Sequence, residues 1–312
     1  MKLKFRSYQT DDDFWRMREF LRQVFLLNDR RERSWHVARL EYARWHTCIN
    51  CANVRLEDVA FLWETKDQVV AILMPDGGPG EAHLMVHPTL RTPELEEEMI
   101  IVAEKRLSTV DQDGVRQLYV WAPEQDQPRQ QILSRRGYIK GEWPEYQWRR
   151  RLDGSLPDVP VPPGYTLRAL EDGLELLERC YASGLGFHEG DITIAVDNRN
   201  DVTWYRNIQT APLYRRDLDL VAIAPDGAVA SFCTLWFDDV TRSALFDPVA
   251  TVPAHQRRGL ARALLVEGMR RAQRMGATLA FVNGYDTGPN AFYKSVVGPE
   301  HDLYVPWLKE WR

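Results

Sequence analysis

The sequence predicts an α/β protein made of two tandem copies of one unit. Three observations carry this reading. At 312 residues the chain is long enough for two domains of ordinary size. Its composition, 44% hydrophobic and 27% charged, supports packed cores in a water-exposed fold. The order of strand-like and helix-like segments in the first half recurs in the second. Between the halves, LDGSLPDVPVPPG holds Pro157, Pro160, Pro162 and Pro163, a stiff and exposed run. The expected organisation is a first domain at 1–152, a linker at 153–164 and a second domain at 165–312.

In the first half, Lys2–Ser7 places Leu3 and Phe5 in alternation and reads as an opening strand. Asp11, Asp12 and Asp13 then open a helix, because acidic side chains complement its positive end. Phe14, Met17, Phe20, Leu21, Val24 and Phe25 continue it at helical spacing. A second helical stretch runs from Trp35 to His46. Val59–Glu64 and Gln68–Met74 are strands joined by the tight turn Thr65-Lys66-Asp67. Asp76-Gly77-Gly78-Pro79-Gly80 is a turn cluster, and Glu81–Val86 is the next strand. A helix over Pro93–Leu107, a strand over Gln117–Trp121 and a helix over Pro128–Arg136 follow, and Tyr146–Leu152 closes this half.

In the second half, Tyr165–Ala169 is a strand, Asp172–Ser183 a helix, and Asp201–Arg206 begins another helix. Asp219–Ala224 and Val229–Phe237 pair across Pro225-Asp226-Gly227. Ala244–Val252 is ended by Pro253, which cannot donate to a sheet ladder. After the turn Ala254–Gly259, the residues Leu260, Ala263, Leu264, Val266, Met269 and Ala272 form a helical apolar stripe. Arg262, Arg270, Arg271 and Arg274 fall largely on the other side, and Gly276 signals the stop. Ala277–Val282 is a short strand, NGYDTGP a loop, Asn290–Gly298 a short helix with its end, and Tyr304–Trp307 the last strand.

The turn before the Leu260 helix carries the chemistry. A helix N-terminus presents unpaired N–H groups and a positive dipole end. Preceded by a small basic turn, it forms a phosphate cradle. Gly259 lets backbone approach a ligand closely, and Ala261 adds almost no bulk. The spacing Gln256-Arg257-Arg258-Gly259-Leu260-Ala261 is neither a P-loop nor a Rossmann fingerprint. It resembles the pyrophosphate-binding signature Gln/Arg-x-x-Gly-x-Gly/Ala of the GCN5-related N-acetyltransferases, the GNAT family. The continuation is also similar to that family: a strand, an Asn-containing loop, a short helix with Phe292-Tyr293, then a glycine. Val297-Gly298-Pro299 departs from the family's usual glycine-aromatic pair.

This resemblance spans about 165–312. It implies a mixed, mostly antiparallel twisted sheet flanked by helices in each domain. It implies acetyl-CoA as co-substrate, its diphosphate on Gln256, Arg257, Arg258, Gly259, Leu260 and Ala261, its pantetheine along Val249, Ala250 and Thr251 of a splayed strand. Asn290 reads either as a helix cap or as a cofactor contact. Tyr293 matches the tyrosine that protonates the leaving thiolate. Asp247 lies where relatives carry a carboxylate; it reads either as the base for the acceptor amine or as a bulge residue before Pro248. His188 and Glu189, in GLGFHEGD, are rival bases. Phe292, Trp236 and Phe237 read as core. The implied activity is direct acetyl transfer to an amine, of a small molecule, in a ternary complex. A protein N-terminus or lysine as acceptor, and a non-catalytic cofactor-binding module, are the alternatives.

The two halves differ at these positions. With Pro88 set against Pro253, Gln256 faces Arg91, Arg258 faces Pro93, Gly259 faces Glu94 and Ala261 faces Glu96. With Gly137 set against Gly298, Tyr293 faces Ile132, which has no proton to give. Carboxylates at a helix N-terminus repel a diphosphate, so the first copy is expected to be degenerate.

Other classes fit poorly. A net charge of −5 lacks the basic excess of a nucleic-acid binder. The N-terminus lacks the apolar segment of a signal peptide, and no apolar run is long enough to span a bilayer. The expected location is cytoplasmic and the expected state a monomer or homodimer. The cysteines are Cys48, Cys51, Cys180 and Cys233. Cys48-Ile-Asn-Cys51 with His46 nearby lacks a second ligand pair, so no metal is expected.

Overall fold

The structure, a computed structural model, describes residues 3–311. In chain order the elements are β1 (Lys4–Ser7), α1 (Asp11–Leu27), α2 (Val37–Tyr42), a π-helical stretch (Ala43–Ala52), α3 (Leu56–Val59), β2 (Phe61–Glu64), β3 (Val69–Met74) and β4 (Glu81–Val86). Then come α4 (Pro93–Arg106), β5 (Thr109–Val110), β6 (Arg116–Pro123), α5 (Gln127–Arg135), β7 (Ile139–Lys140) and β8 (Glu145–Arg151). The second half brings β9 (Thr166–Ala169), α6 (Leu174–Phe187), α7 (Ile192–Asn200), α8 (Thr203–Gln209), β10 (Asp219–Ile223), β11 (Val229–Asp238) and β12 (Ser243–Thr251). It ends with α9 (Leu260–Arg274), β13 (Leu279–Gly284), α10 (Thr287–Val297) and β14 (His301–Trp311). The expected start of the first strand at Lys2 lies outside the described residues.

The chain divides into two compact units, 1–147 with 301–312, and 148–300. In the first, the strands run β1-β2-β3-β4-β6-β14, with β5 on β6 and β7 on β14. In the second they run β8-β13-β12-β11-β10-β9. β4 with β6 and β12 with β13 are parallel, and the remaining described pairs are antiparallel. Each unit is thus a mixed, mostly antiparallel sheet flanked by helices, as the resemblance implied.

This division corrects the expected domain ends. Tyr304–Trp311 pairs without interruption with Pro123–Arg116 of β6, so the last strand belongs to the first unit rather than the second. The division at Gln147/Trp148 falls inside β8, ahead of the expected linker, and Trp148–Arg151 lies with the second unit. Backbone bonds from Arg149 to the Glu300 carbonyl and from Leu152 to the Thr278 carbonyl fix that segment there. Open strand edges demand partners for their N–H and C=O groups, and β6 finds one in the last strand of the chain.

The first unit packs Trp63, Leu73, Leu84 and Val86 of the sheet against Met99, Ile100 and Ala103 of α4 and Leu133 of α5. β3, Val-Val-Ala-Ile-Leu-Met, is buried at every position, which is why it reads as a continuous apolar run. In the second unit α9 turns Leu260, Ala263, Leu264, Met269 and Ala272 inward, the stripe expected from sequence. Gly268 brings α9 close to the sheet: a Cβ there would lie 2.7 Å from Cε1 of Phe246.

Several local expectations shift. The second helix is short, because the chain winds into the π-helical stretch from Ala43. There Cys48 is buried, with its Sγ on the Gly77 carbonyl, and Cys51 is exposed. Burial raises the Cys48 thiol to about 12. Among the described residues no group of His, Cys, Asp and Glu is placed to hold a metal ion. No described helix is long and apolar enough to cross a membrane. α7 was not expected; Asp191 starts it by accepting from the Thr193 and Ile194 amides.

Candidate functional site

The second unit has an opening in its sheet. β12 and β13 pair in parallel from Ser243/Leu279 to Phe246/Val282 and no further. On the other side of β12, Asp247 and Pro248 together oppose Thr234, a one-residue bulge between Cys233/Val249 and Leu235/Phe246. The bulge bends β12 away from β13 and changes which way its peptide groups point. Val252 donates to the Ala230 carbonyl, and the Ala250 carbonyl accepts from Ser231 Oγ, so the even positions address β11. By strand alternation Val249 and Thr251 direct their backbone groups to the side that β13 has left. The Thr251 carbonyl there accepts from Gln256 Nε2 at 3.2 Å. Val249 and Thr251 therefore fit the expected backbone contact with an extended ligand. Ala250 does not, because its backbone is committed to β11.

The turn after β12 leads into α9. Gly259 is the N-cap residue with φ +85°, a left-handed conformation that a glycine adopts without strain. A Cβ there would meet nothing within 4 Å, so the glycine serves backbone shape, and crowding by neighbouring protein atoms is not its reason. Arg257 also lies at positive φ, 62°. Among the described residues, the amides of Arg257, Arg258, Gly259, Leu260, Ala261 and Arg262 meet no acceptor; the first helical bond is from Ala263 to the Gly259 carbonyl. Gln256, Arg257, Arg258 and Gly259 are exposed, whereas Leu260 is buried and faces the core. Arg258 Nη2 reaches the Ala254 carbonyl at 3.4 Å, and Arg257 has no side-chain partner among the described residues. This is an open set of N–H donors with two cations beside it, the electrostatic counterpart of a diphosphate.

α10 closes the other side. It begins at Thr287, three residues earlier than expected, with Asp286 as its N-cap residue. Asn290 therefore sits inside the helix and does not cap it. Its Oδ1 accepts from the Trp148 indole at 2.8 Å. Gly284, the last residue of β13, was not singled out from sequence. A Cβ on it would lie 2.6 Å from Asn290 Oδ1 and 3.1 Å from the Tyr293 ring. Only a glycine lets α10 pack this closely on the strand. The sequence signal was available as the Asn-Gly pair after an apolar strand, where glycine marks close backbone approach.

Tyr293 is 8% exposed, and among the described residues its hydroxyl has no hydrogen-bond partner. Burial, and then the charge of Asp247, hold this phenol well above the ordinary tyrosine range. Asp247 is half-buried, and its carbonyl accepts from the Trp236 indole at 2.6 Å. The two residues expected to act on the reaction are thus brought within electrostatic reach of each other. The rival bases His188 and Glu189 are exposed at the end of α6, and no described partner orients either side chain. Trp236 and Phe237 are buried in β11, as expected for core.

The corresponding region of the first unit is built differently. β4 and β6 also part, after His83/Trp121. Here Arg129, 2% exposed, lies in the gap: Nη1 donates to the Leu84 carbonyl at 3.1 Å and Nη2 to Glu96 at 2.7 Å. Arg91 bonds both Glu96 and Asp126. The N-terminus of α4 is already capped, since Thr92 Oγ1 accepts from the Leu95 amide and Pro93 has no N–H. The expected repulsion from two free carboxylates needs correction at Glu96, which is buried and neutralised by two arginines. Of the first-turn amides of α4 only that of Glu94 meets no acceptor among the described residues, and Arg129 fills the gap, so little is left there to hold a diphosphate.

Residues 179–298 match the model of the acetyltransferase (GNAT) family. A search of curated proteins finds no match. Among solved structures, a GCN5-related N-acetyltransferase from Sphaerobacter thermophilus is similar over 99% of this chain and 95% of its own, at 15% identity and TM-score 0.66. A tandem GNAT protein from the clavulanic acid biosynthesis pathway covers 99% of this chain and 98% of its own, at 16% identity and TM-score 0.65. A GNAT-family acetyltransferase from Colwellia psychrerythraea covers 98% and 100%, at 11% identity and TM-score 0.58. At these identities the structural likeness speaks for the fold. The family match falls on residues 179–298, within the second unit, and the chain as a whole has a fold similar to that of a tandem GNAT protein.

Proposed function

We propose that the second unit transfers an acetyl group from acetyl-CoA to the amine of a small molecule, and that the first unit does not bind the cofactor. The observation that carries this reading is the run of free amides from Arg257 to Arg262, placed beside the gap between β12 and β13. In this reading the diphosphate sits on those amides with Arg257 and Arg258, and the pantetheine runs along Val249 and Thr251. The acceptor amine loses its proton to Asp247, directly or through water, and attacks the thioester carbonyl. A backbone N–H of β12 steadies the oxyanion. Collapse of the tetrahedral intermediate expels the thiolate, which takes its proton from Tyr293.

The test is calorimetric titration of acetyl-CoA into the wild-type chain and into Gly259→Glu. One site per chain, lost in the variant, supports the reading. Two equivalent sites refute the assignment to one unit. Absence of binding to the wild type refutes the cofactor site altogether.

A further inference from the structure

The first unit contains a cavity that the proposed reaction does not use. It measures about 320 Å³, at the lower end of the range for small-ligand pockets, and lies at the ends of β4 and β6. Its lining is apolar at Val86, Pro88, Pro123 and Pro128 and neutral polar at Asn28, Ser34 and Gln125, and its charged rim includes Arg33, Arg91 and Arg129 with Asp126. Two of these cations are already matched, since Arg91 and Arg129 bind Glu96 and Asp126. Arg33 is different. It is exposed, and among the described residues its guanidinium has neither an ion pair nor a hydrogen bond. The cavity therefore carries one uncompensated positive charge above an apolar wall.

Such a wall suits some anions and not others. A phosphate dianion needs several converging cations, and here Arg91 and Arg129 are held by carboxylates, which leaves Arg33 with only neutral donors beside it. A carboxylate is satisfied by one guanidinium fork. We propose that this cavity binds a small monocarboxylate with a compact apolar body, the carboxylate on Arg33 and the body against Val86 and the prolines. The inference is independent of whether the second unit is catalytic.

Benzoate, hexanoate, benzamide and inorganic phosphate, titrated calorimetrically into the full chain and into Arg33→Gln, test it. The expected result is one site per chain for benzoate or hexanoate, weakened about tenfold or more by the substitution. Benzamide and phosphate should bind more weakly than either acid. Arg33 is exposed, so the variant should fold and keep its acetyl-CoA affinity. No binding of either acid, equal binding by Arg33→Gln, or displacement of the bound acid by acetyl-CoA would overturn the proposal. Phosphate binding more tightly than both acids would overturn the ligand class.

Discussion

Tyr293 and Asp247 lie close enough that the carboxylate adds to burial in keeping the phenol protonated. The pairing suits an acid that must hold its proton until a thiolate appears. A thiolate with an ordinary thiol pKa of about 8.5 is a weaker base than the Tyr293 phenolate. The proton transfer therefore has to be driven as the carbon–sulfur bond breaks.

Tyr293→Phe removes the proton and leaves the ring. Steady-state kinetics should show kcat lower by about 100-fold, the usual scale for losing a general acid. Calorimetry should show acetyl-CoA affinity unchanged within about twofold. An unchanged kcat would remove Tyr293 from the reaction.

The pH profile follows from the same shift. Because the Tyr293 pKa is raised above its ordinary value of about 10, the phenol stays protonated through neutral and mildly alkaline pH. The kcat profile should show no descending limb from Tyr293 below about pH 10. A wild-type limb near pH 8 that disappears in Tyr293→Phe would contradict the shift.

Gly284→Ala should act on the reaction without touching a reacting group. The new Cβ meets Asn290 Oδ1 at 2.6 Å and the Tyr293 ring at 3.1 Å, so α10 must move. Overpacking of this kind costs about 1–3 kcal/mol, readable by urea denaturation. The rate should fall toward that of Tyr293→Phe. Full activity in a destabilised variant would mean that the placement of Tyr293 is not critical.

The first unit predicts an acid-sensitive fold. Burial alone would raise Glu96 and Asp126, but Arg129 and Arg91 outweigh it and hold both carboxyls below their usual range. A folded pKa below the unfolded value contributes stability above the unfolded pKa, and that contribution is lost as pH falls through the folded one. Unfolding monitored by tryptophan fluorescence should therefore show stability declining steeply below about pH 4. Glu96→Gln should cost about 3 kcal/mol at neutral pH, because buried Arg129 loses its short ion pair and keeps only the longer one to Asp126 at 3.7 Å. Glu96→Leu combined with Arg129→Met should recover most of that loss. A single variant as stable as the wild type would show that the pair does not hold the gap shut.

Local pattern revealed most of the elements and the local structure at one half of the candidate site. The apolar stripe of α9, the proline that ends β12 and the Gln256–Ala261 turn are short-range signals, and the structure keeps all of them. The start of α10 at Thr287 was missed because Gly288 and Pro289 read as loop residues, although proline fits the first turn of a helix. α7 was missed because its apolar residues Ile192 and Val196 are exposed, leaving only a weak stripe.

By itself, then, the sequence determined the repeated α/β order, the open amides before α9 and the aromatic helix after β13, because each depends on residues within a turn or two of one another. Only the tertiary structure decided that β14 completes the first unit, that Gly284 sets the distance to Tyr293, and that Arg129 fills the first unit's gap. Those outcomes depend on which edges and side chains meet across long stretches of chain. Periodicity carries no information about such meetings, and packing and hydrogen-bond satisfaction decide them.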